Sequence, residues 1–400
     1  MQKRILIVNK FYYNRGGDCV ASMNLEKLLA SAGYEVAFFA MNYPQNIDSK
    51  YSNLFASQVD FAGGAASKLK ALMRTLGMGD IRKSFTAMLD EFHPDVVHLQ
   101  NIHSYLSPVI AALAKSRGCR VVWTLHDYKL LCPAYSCLRD GKPCELCYTD
   151  ISQVLRLQCM KGSLAASAVA YLEALKWNRK KLTKLTDAFV CPSQFMADKM
   201  KQGGFPADKL NVICNFVDPV KLDLLKSQPS VAPRHPYYCY IGRLSAEKGV
   251  ATLLKAATSL PFELRIAGDG PLADSLKQQY AHCNNIRFLG RLEANEVTSL
   301  LAQATASVLP SECYENNPLG VIESLCAGTP VVGARMGGIP ELINSTNGLT
   351  FDAGNVEMLA KAISKAMQTP WNHQNIKEIS TELFAPDRYL EKIQYLYGPI

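Results

Sequence analysis

Two acidic residues, Glu315 and Glu323, flank the start of an apolar helical pattern in the stretch "ECYENNPLGVIESLC". On a helix that begins near Pro318, Glu323 lies within the first two turns and Glu315 lies in the loop before it. Both carboxylates can therefore face one ligand across the helix N-terminus, whose free N–H groups and dipole favour phosphate. Because hydroxyls need acceptors and a diphosphate needs donors, the stretch predicts a site for a sugar joined to a nucleotide. The alternative for Glu323, a solvent-facing helix position, fits its apolar setting poorly.

Two cations precede these carboxylates in the same half of the chain. Arg243 and Lys248 belong to "GRLSAEKG", which follows the apolar run "YYCYI". In a loop at a strand end, such a pair suits a diphosphate. Solvated surface charge is the alternative, and it would be preferred if the motif stood alone, but "IAGDGP" and the two glutamates follow it. The set predicts one anion-binding site.

A glycine pair marks a second loop near the start of the chain. Gly16 and Gly17, in "NRGGD", follow the apolar run "RILIVN" and open a helical pattern. Without side chains, these residues would let backbone N–H groups approach an anion at a helix N-terminus. An ordinary turn remains the alternative.

Short apolar runs alternate with helical patterns along the whole chain, and the alternation restarts after about residue 235. This order predicts two α/β domains, each with a doubly wound parallel sheet of Rossmann-like type, with ligands at the carboxyl ends of the strands. The join is expected within 217–235, a polar segment with three prolines. The predicted domains are therefore 1–217 and 218–383, followed by a final segment, 384–400.

Composition indicates a folded globular protein, with 48% hydrophobic and 20% charged residues. No apolar run reaches the roughly 20 residues of a membrane span, and the first residues contain no signal-peptide core, so a cytoplasmic location is expected. The positive charge lies in the first half: residues 1–217 carry 27 Lys and Arg against 17 Asp and Glu, whereas the rest has a net charge of −2. Charge alone does not choose among nucleic acid, a membrane or a phosphorylated substrate as partner.

The ordered set of motifs resembles the retaining glycosyltransferases of family 4, which have the two-domain GT-B fold. The matching stretches are "NRGG", "HD" at His126 and Asp127, "GRLSAEKG", "AGDGP", the Glu315–Glu323 pair, "AGTPVV" and "GGIPE". The resemblance covers essentially the whole chain. It implies two Rossmann-like domains facing a cleft, with an N-terminal acceptor-binding domain, a C-terminal nucleotide-sugar-binding domain and a last helix that returns to the N-terminal domain.

The resemblance also implies roles for the motif residues. Arg243 and Lys248 would bind the donor diphosphate and stabilise it as the leaving group. Glu323 would bind the nucleotide ribose and Glu315 the hydroxyls of the donor sugar. Further donor-site residues are the backbone around Asn317, Pro318 and Leu319, His126 near the reacting centre, and Gly16 and Gly17 near donor phosphate and acceptor.

The implied reaction retains the anomeric configuration and needs no catalytic metal or other cofactor. The expected donor is a UDP-sugar, and the expected acceptor is a glycan linked to polyprenyl diphosphate in bacterial surface polysaccharide assembly, with no nucleic-acid partner. One alternative is a sugar- or nucleotide-binding protein that kept the fold and lost catalysis. Another is a nicotinamide oxidoreductase, which the lack of G-x-G-x-x-G after the first strand disfavours.

Two basic segments of the first half suit contact with an anionic membrane surface. Residues 67–85 mix lysines and arginines with leucine, methionine and isoleucine, and residues 176–184 form a dense basic run. Such stretches are typical of interfacial helices. Solvated helix faces are the alternative. We expect peripheral association with the inner face of the cell membrane.

Five cysteines lie within the 28 residues that begin at Cys132. Cys144 and Cys147 have the C-x2-C spacing of one half of a zinc site, and Cys132 and Cys159 are the expected partners, although Cys137 could replace either. The prediction is a structural zinc that fixes the loop carrying His126. Buried thiols without metal are the alternative, since the other spacings fit no standard zinc module.

Overall fold

The computed structural model of the protein describes residues 2–228 and 235–398. Residues 229–234, within the expected domain join, lie outside the described part. The described residues form two compact units. The first takes residues 2–137, 144–213 and 390–398, and the second takes 138–143, 214–228 and 235–389.

The first unit contains a six-stranded parallel sheet with the order β2-β1-β3-β4-β7-β8. Its strands are β1 (Arg4–Val8), β2 (Glu35–Phe39), β3 (Val96–Leu99), β4 (Arg120–Thr124), β7 (Ala188–Cys191) and β8 (Leu210–Val212). Between β4 and β7 in the chain, β5 (Leu138–Arg139) and β6 (Lys142–Pro143) form a short antiparallel hairpin that belongs to the second unit. Residues 5–8 of β1 are completely buried. Burial on both faces explains why these strands read as continuous apolar runs.

Helices connect the strands of this sheet. They are α1 (Gly17–Ser31), α2 (Ala65–Thr75), α3 (Asp80–Phe92), α4 (Val109–Ser116), α5 (Gln153–Arg156), α6 (Leu164–Lys176), α7 (Arg179–Leu185) and α8 (Gln194–Gln202). Side chains cap the N-termini of three of them: Ser163 at α6, Asn178 at α7 and Ser193 at α8. Each accepts a hydrogen bond from a first-turn N–H group, which fixes where the helix begins.

The second unit repeats the architecture with the strand order β11-β10-β9-β12-β13-β14, again all parallel. Its strands are β9 (His235–Ile241), β10 (Glu263–Ala267), β11 (Ile286–Gly290), β12 (Ala304–Leu309), β13 (Val331–Ala334) and β14 (Gly348–Phe351). Its helices are α9 (Pro219–Ser227), α10 (Val250–Ala257), α11 (Ala273–Gln279), α12 (Ala294–Gln303), α13 (Leu319–Cys326), α14 (Ile339–Leu342), α15 (Val356–Gln368) and α16 (His373–Leu383).

The second sheet is covered on both faces, as the alternation along β9 shows. Tyr238 and Tyr240 pack into one hydrophobic cluster with residues of α10 and α15, whereas Tyr237 and Cys239 pack into another with residues of α12 and α13. Successive side chains of a strand point to opposite faces, so the two clusters are the two layers of the core.

A last helix, α17 (Pro386–Tyr397), ends within the first unit. There the Tyr397 hydroxyl lies 2.7 Å from Nδ1 of His98, and Lys3 Nζ donates to the Tyr397 carbonyl at 2.9 Å. Burial lowers the pKa of His98 to about 3, so the imidazole is neutral. Among the described helices, none is long and apolar enough to cross a membrane.

Candidate active site

The loops that follow β9, β12 and β13 lie against one another in the second unit because two glycines allow close approach. A Cβ atom on Gly249 (φ +67°) would lie 1.9 Å from the Pro310 carbonyl oxygen, and one on Gly337 (φ +62°) would lie 2.0 Å from that of Glu315. The N–H group of Gly338 also donates to the Glu315 carbonyl at 2.8 Å. Glu315 is thereby held between two strand-end loops at the edge where parallel α/β sheets bind ligands.

Lys248 and Glu315 form an ion pair at this edge. Nζ of Lys248 lies 2.6 Å from Oε1 of Glu315, and the Ser311 hydroxyl donates to the same oxygen at 2.6 Å. Their side chains are 29% and 13% exposed, so one flank of the pair still faces solvent. Burial by itself would lower the pKa of Lys248, but the carboxylate of Glu315 reverses this and the pKa is raised. Lys248 is therefore protonated at neutral pH.

The N-terminus of α13 lies in the same loop system and offers unused donors. The N–H groups of Val321 and Ile322 bond to the Pro318 carbonyl, at 3.0 and 3.4 Å. Those of Leu319 and Gly320 have no hydrogen-bond partner in the part of the chain that the structure describes, and no side chain caps the helix. Together with the helix dipole, two free donors suit a phosphate group.

Glu323 is paired, and its partner was not anticipated from the sequence. Oε1 of Glu323 lies 2.6 Å from Nζ of Lys221 on α9. Asn317 also differs from a simple ligand residue, because its side chain is buried: Oδ1 accepts from the N–H of Asn215 at 2.9 Å and from the thiol of Cys214 at 3.2 Å. Asn317 thus holds the loop in place.

Arg243 stands apart from these contacts. Its backbone carbonyl accepts from the Tyr240 hydroxyl at 2.8 Å, which fixes the loop, while its side chain is exposed. Within residues 2–228 and 235–398, its guanidinium has no hydrogen-bond or ion-pair partner. A fixed loop carrying an unpaired guanidinium can bind an anion without first breaking an internal salt bridge.

In the first unit, the strand-end loops assemble a hydrogen-bonded polar cluster. Nδ2 of Asn101 donates to Asp18 at 2.9 Å and to Asp127 at 3.4 Å, and Nε2 of His126 lies 2.7 Å from the Gln100 side-chain oxygen. Burial lowers the pKa of His126, partly offset by the Asp18 carboxylate. The neutral imidazole donates from Nε2 to Gln100, which leaves Nδ1 as an acceptor.

Gly16 and Gly17 adjoin this cluster. Gly16 is the N-cap residue of α1, and a Cβ on Gly17 would have no atom within 4 Å. Asp18 follows, with Lys10 Nζ 3.7 Å from its Oδ2. Burial would raise the pKa of Asp18, but Lys10, His126 and Asn101 outweigh burial and lower it. Open space at Gly17 next to charged groups leaves room for a ligand.

The cysteines that contact one another in the structure are not the same set as the predicted zinc ligands. The thiols of Cys137 and Cys147 hydrogen-bond to the sulfur of Cys132 and lower its pKa, while Cys144 and Cys159 are half-buried. No three or more His, Cys, Asp or Glu side chains in the described ranges form a group that could hold a metal ion. A structural zinc stays a prediction for direct metal analysis.

Three comparisons place the chain among known proteins. A family profile described as Glycosyltransferase Family 4 matches residues 20–221, and one described as Glycosyl transferases group 1 matches residues 224–382. The chain is 32% identical over 199 residues to glycogen synthase of Mycobacterium tuberculosis, which covers 47% of this chain and 47% of that protein. It therefore matches about half the length of this relative.

Two longer matches cover most of the chain. An uncharacterized 42.6 kDa protein in the cps region of Klebsiella pneumoniae is 26% identical over 354 residues, covering 84% of this chain and 87% of that protein. The crystal structure of Alr3699/HepE of Anabaena in complex with UDP aligns with a TM-score of 0.65 at 19% identity, covering 98% of both chains. The two six-stranded parallel sheets thus belong to a GT-B fold.

Proposed function

Because the chain belongs to glycosyltransferase family 4, we propose that it transfers a sugar from a nucleotide diphosphate sugar to an acceptor hydroxyl. One observation carries the proposal: the Lys248–Glu315 pair lies in the same loop system as the start of α13, where the N–H groups of Leu319 and Gly320 have no partner among the described residues. The donors suit the diphosphate, and the carboxylate oxygens suit sugar hydroxyls.

We favour UDP as the nucleotide. Support comes from the Anabaena relative of the same fold, which was crystallised in complex with UDP. In this assignment, Glu323 accepts hydrogen bonds from the ribose hydroxyls. Lys221 then has to give up part of its contact with Glu323, so the ion pair closes the ribose site when no nucleotide is bound.

We propose a retaining reaction that needs no catalytic metal. The bond from the anomeric carbon to the diphosphate breaks, and Arg243 and Lys248 stabilise the negative charge that develops on the leaving group. The acceptor oxygen forms its bond on the same face, and its proton passes to the departing phosphate. In the first unit, we assign His126 to hydrogen bonding as a neutral imidazole rather than to proton removal, because burial lowers its pKa.

For the acceptor, we propose a glycan on a lipid diphosphate used in bacterial surface polysaccharide assembly. The similarity to a protein of the Klebsiella cps region favours this class. The proposed membrane contact is a surface of α2 and α6, which pack together and expose Leu69 (58%), Met73 (39%), Leu172 (44%) and Leu175 (45%). Lys68 and Lys70, which flank Leu69 in the chain, are exposed, as contact with an anionic lipid surface requires.

Part of the predicted membrane segment is not available for this contact. Residues 67–85 form two helices rather than one, because Gly77 (φ +73°) and Gly79 (φ +85°) separate α2 from α3. Arg74 is buried and paired with Asp80, and Ile81 is buried as well.

Cosedimentation with vesicles of anionic lipid at low salt tests the remaining surface. A Leu69→Asp variant should stay in the supernatant, and equal sedimentation of both proteins would contradict the assignment.

The second candidate is a GT-B protein that binds nucleotide sugars without turnover. It shares every binding contact, so only catalysis separates the two proposals.

A thermal-shift screen of UDP, GDP, ADP and their sugar conjugates identifies the donor, because a bound ligand raises the melting temperature by mass action. Turnover is then measured with the donor that gives the largest shift. A shift without any turnover would favour the second candidate, and no shift with any nucleotide would contradict both.

A further inference from the structure

Five aromatic rings gather beside the polar cluster of the first unit, although they come from separate stretches of chain. They are contributed by the loops after β1, β2 and β3 and by the segment before α2: Phe11, Tyr13, Tyr43, Phe61 and Tyr105. Phe11 is the centre, with its ring centroid 5.6 Å from Tyr13, 5.4 Å from Tyr43 and 5.6 Å from Tyr105. Phe61 extends the group, 5.2 Å from Tyr105. We call these five residues the aromatic platform.

The aromatic platform differs from a hydrophobic core, because only its central ring is buried from solvent. Phe11 is 3% exposed, whereas Phe61 is 37% exposed and the three tyrosines are half-buried. The hydroxyls of Tyr13, Tyr43 and Tyr105 have no hydrogen-bond partner among residues 2–228 and 235–398. Burial and the neighbouring phenols raise the pKa of Tyr43, so this hydroxyl is protonated and can donate. The platform therefore combines ring faces with unused hydroxyl groups.

Charged groups border the platform. The Arg15 guanidinium lies 4.0 Å from the Phe11 ring centroid, and Lys10 Nζ lies 5.7 Å from that of Phe11 and 5.8 Å from that of Tyr105. Lys10 also forms an ion pair with Asp18. Asp60 also faces this side, and its charge contributes to the raised pKa of Tyr43. Arg15 has no carboxylate within ion-pair distance among the described residues, which leaves one cation for an external anion.

We propose that the aromatic platform is the acceptor subsite and that it binds a saccharide carrying an anionic group. This inference rests on the proposed transferase function and adds the chemical class of the acceptor. The apolar C–H face of a pyranose ring can pack on Tyr13, Tyr43 or Phe61, and its hydroxyls can bond the free phenols. Arg15 meets a carboxylate or a phosphate on the same saccharide.

A peptide or nucleobase ligand would also stack on aromatic rings, but the hydroxyl-rich rim favours a saccharide. Three phenols, for which the described residues supply no hydrogen-bond partner, can both donate and accept. Asn101, Asp18 and Asp127 continue the polar surface through the Lys10–Asp18 contact. Hydroxyl groups on every side of a ring use such a rim fully, whereas a flat base uses only its edge. Open space at Gly17 lies next to Asp18 in the same loop.

Saturation-transfer NMR on the intact protein tests the proposal without any turnover. The probes are maltotriose, glucose 1-phosphate and a disaccharide containing glucuronic acid, which separate neutral, phosphate and carboxylate ligands. We expect the anionic probes to bind the wild type, and Tyr43→Ala to weaken their affinity by about two- to tenfold. Arg15→Ala should remove the advantage of anionic over neutral probes. Tyr395→Ala, at a residue that is 83% exposed on α17, is the matched control and should change nothing.

UDP binding, measured by thermal shift on the same variants, keeps the two proposals apart. Tyr43→Ala and Arg15→Ala should keep the wild-type UDP shift, which also shows that they fold. If no saccharide probe binds the wild type, or if Tyr43→Ala binds all of them as the wild type does, the acceptor subsite is wrong. If saccharides bind but none of UDP, GDP, ADP and their sugar conjugates does, the proposed transferase function fails instead.

Discussion

Replacement of Lys248 by Met should weaken UDP binding, because it removes a charged donor to the diphosphate. Lys248 is already largely desolvated in its pair with Glu315, since the two side chains are 29% and 13% exposed. A hydrogen bond from a charged donor contributes about 1.5–3 kcal/mol, so losing one to the diphosphate should raise the Kd of UDP by about 10- to 150-fold. Titration calorimetry at neutral pH measures the change. The matched control is Lys255→Met, which removes an exposed lysine of α10 in the same unit.

Lys248→Met should also change the free energy of unfolding, for a reason separate from UDP binding. Without Lys248, the Ser311 hydroxyl is the one side-chain donor that the described residues still give the carboxylate of Glu315, so the free energy of unfolding should fall by about 1–3 kcal/mol. The pKa of Lys248 is raised by Glu315, so its contribution is complete at pH 7 and is lost only above about pH 10. Adding Glu315→Gln should restore most of the stability, a coupling of about 1 kcal/mol or more in a double-mutant cycle.

The two residues also separate binding from turnover. Glu315→Gln alone removes a negative charge, so UDP should bind as well as before or better, while transfer from the intact UDP-sugar should fall, because Glu315 is assigned to sugar hydroxyls. A Kd for UDP that stays within twofold in Lys248→Met, with the fold intact, would refute the assignment of Lys248 to the diphosphate.

The remaining predictions concern the ribose, acid stability and metal. Glu323→Ala should abolish the preference for UDP over its 2′,3′-dideoxy analogue, whereas the exposed control Glu357→Ala should keep it; an unchanged preference would remove Glu323 from the ribose site. Because the pKa of Asp18 is lowered, its ionised carboxylate stabilises the fold at neutral pH, and this stabilisation is lost as the pH falls through the folded pKa. The free energy of unfolding should therefore fall less between about pH 5 and pH 3 in Asp18→Asn than in the wild type. Equal losses would contradict the lowered pKa. Elemental analysis of protein purified under reducing conditions should find about one zinc per chain if the cysteine prediction holds, and much less than one would end it.

The sequence predicted the sheets because burial on both faces leaves continuous apolar runs such as residues 5–8. It also predicted that Glu315 and Glu323 flank the start of a helix, and α13 begins at Leu319, one residue beyond the expected start. These features depend on residues close together in the chain. Local patterns are sufficient for them.

The partners of the site residues could not be predicted, because they come from distant segments. Lys221 reaches Glu323 from α9, and Asn215 holds Asn317 across a separation of 102 residues. Nothing in the spacing of either residue marks the contact. In contrast, the "LGMGD" stretch contained a signal that residues 67–85 form two helices, since glycines at positive φ interrupt a helical pattern.

The aromatic platform illustrates the same limit. Its residues fall in "KFYYN", "MNYPQ", "DFAGG" and "HSYLS", and no single stretch suggests a binding surface. The parallel sheet brings three of these stretches to one edge, because β1, β2 and β3 are neighbours and run in the same direction. Topology, rather than local pattern, creates this candidate subsite.

Release of nucleoside diphosphate from a panel of UDP-, GDP- and ADP-sugars tests the central claim most directly. The reactions contain the purified protein with a polar-lipid extract or the saccharide probes as acceptor, and Lys248→Ala provides the background. Transferase function predicts acceptor-dependent release with one donor, UDP-linked by our assignment, at a rate well above that of Lys248→Ala. Release that never exceeds the Lys248→Ala background with any donor and acceptor would contradict it.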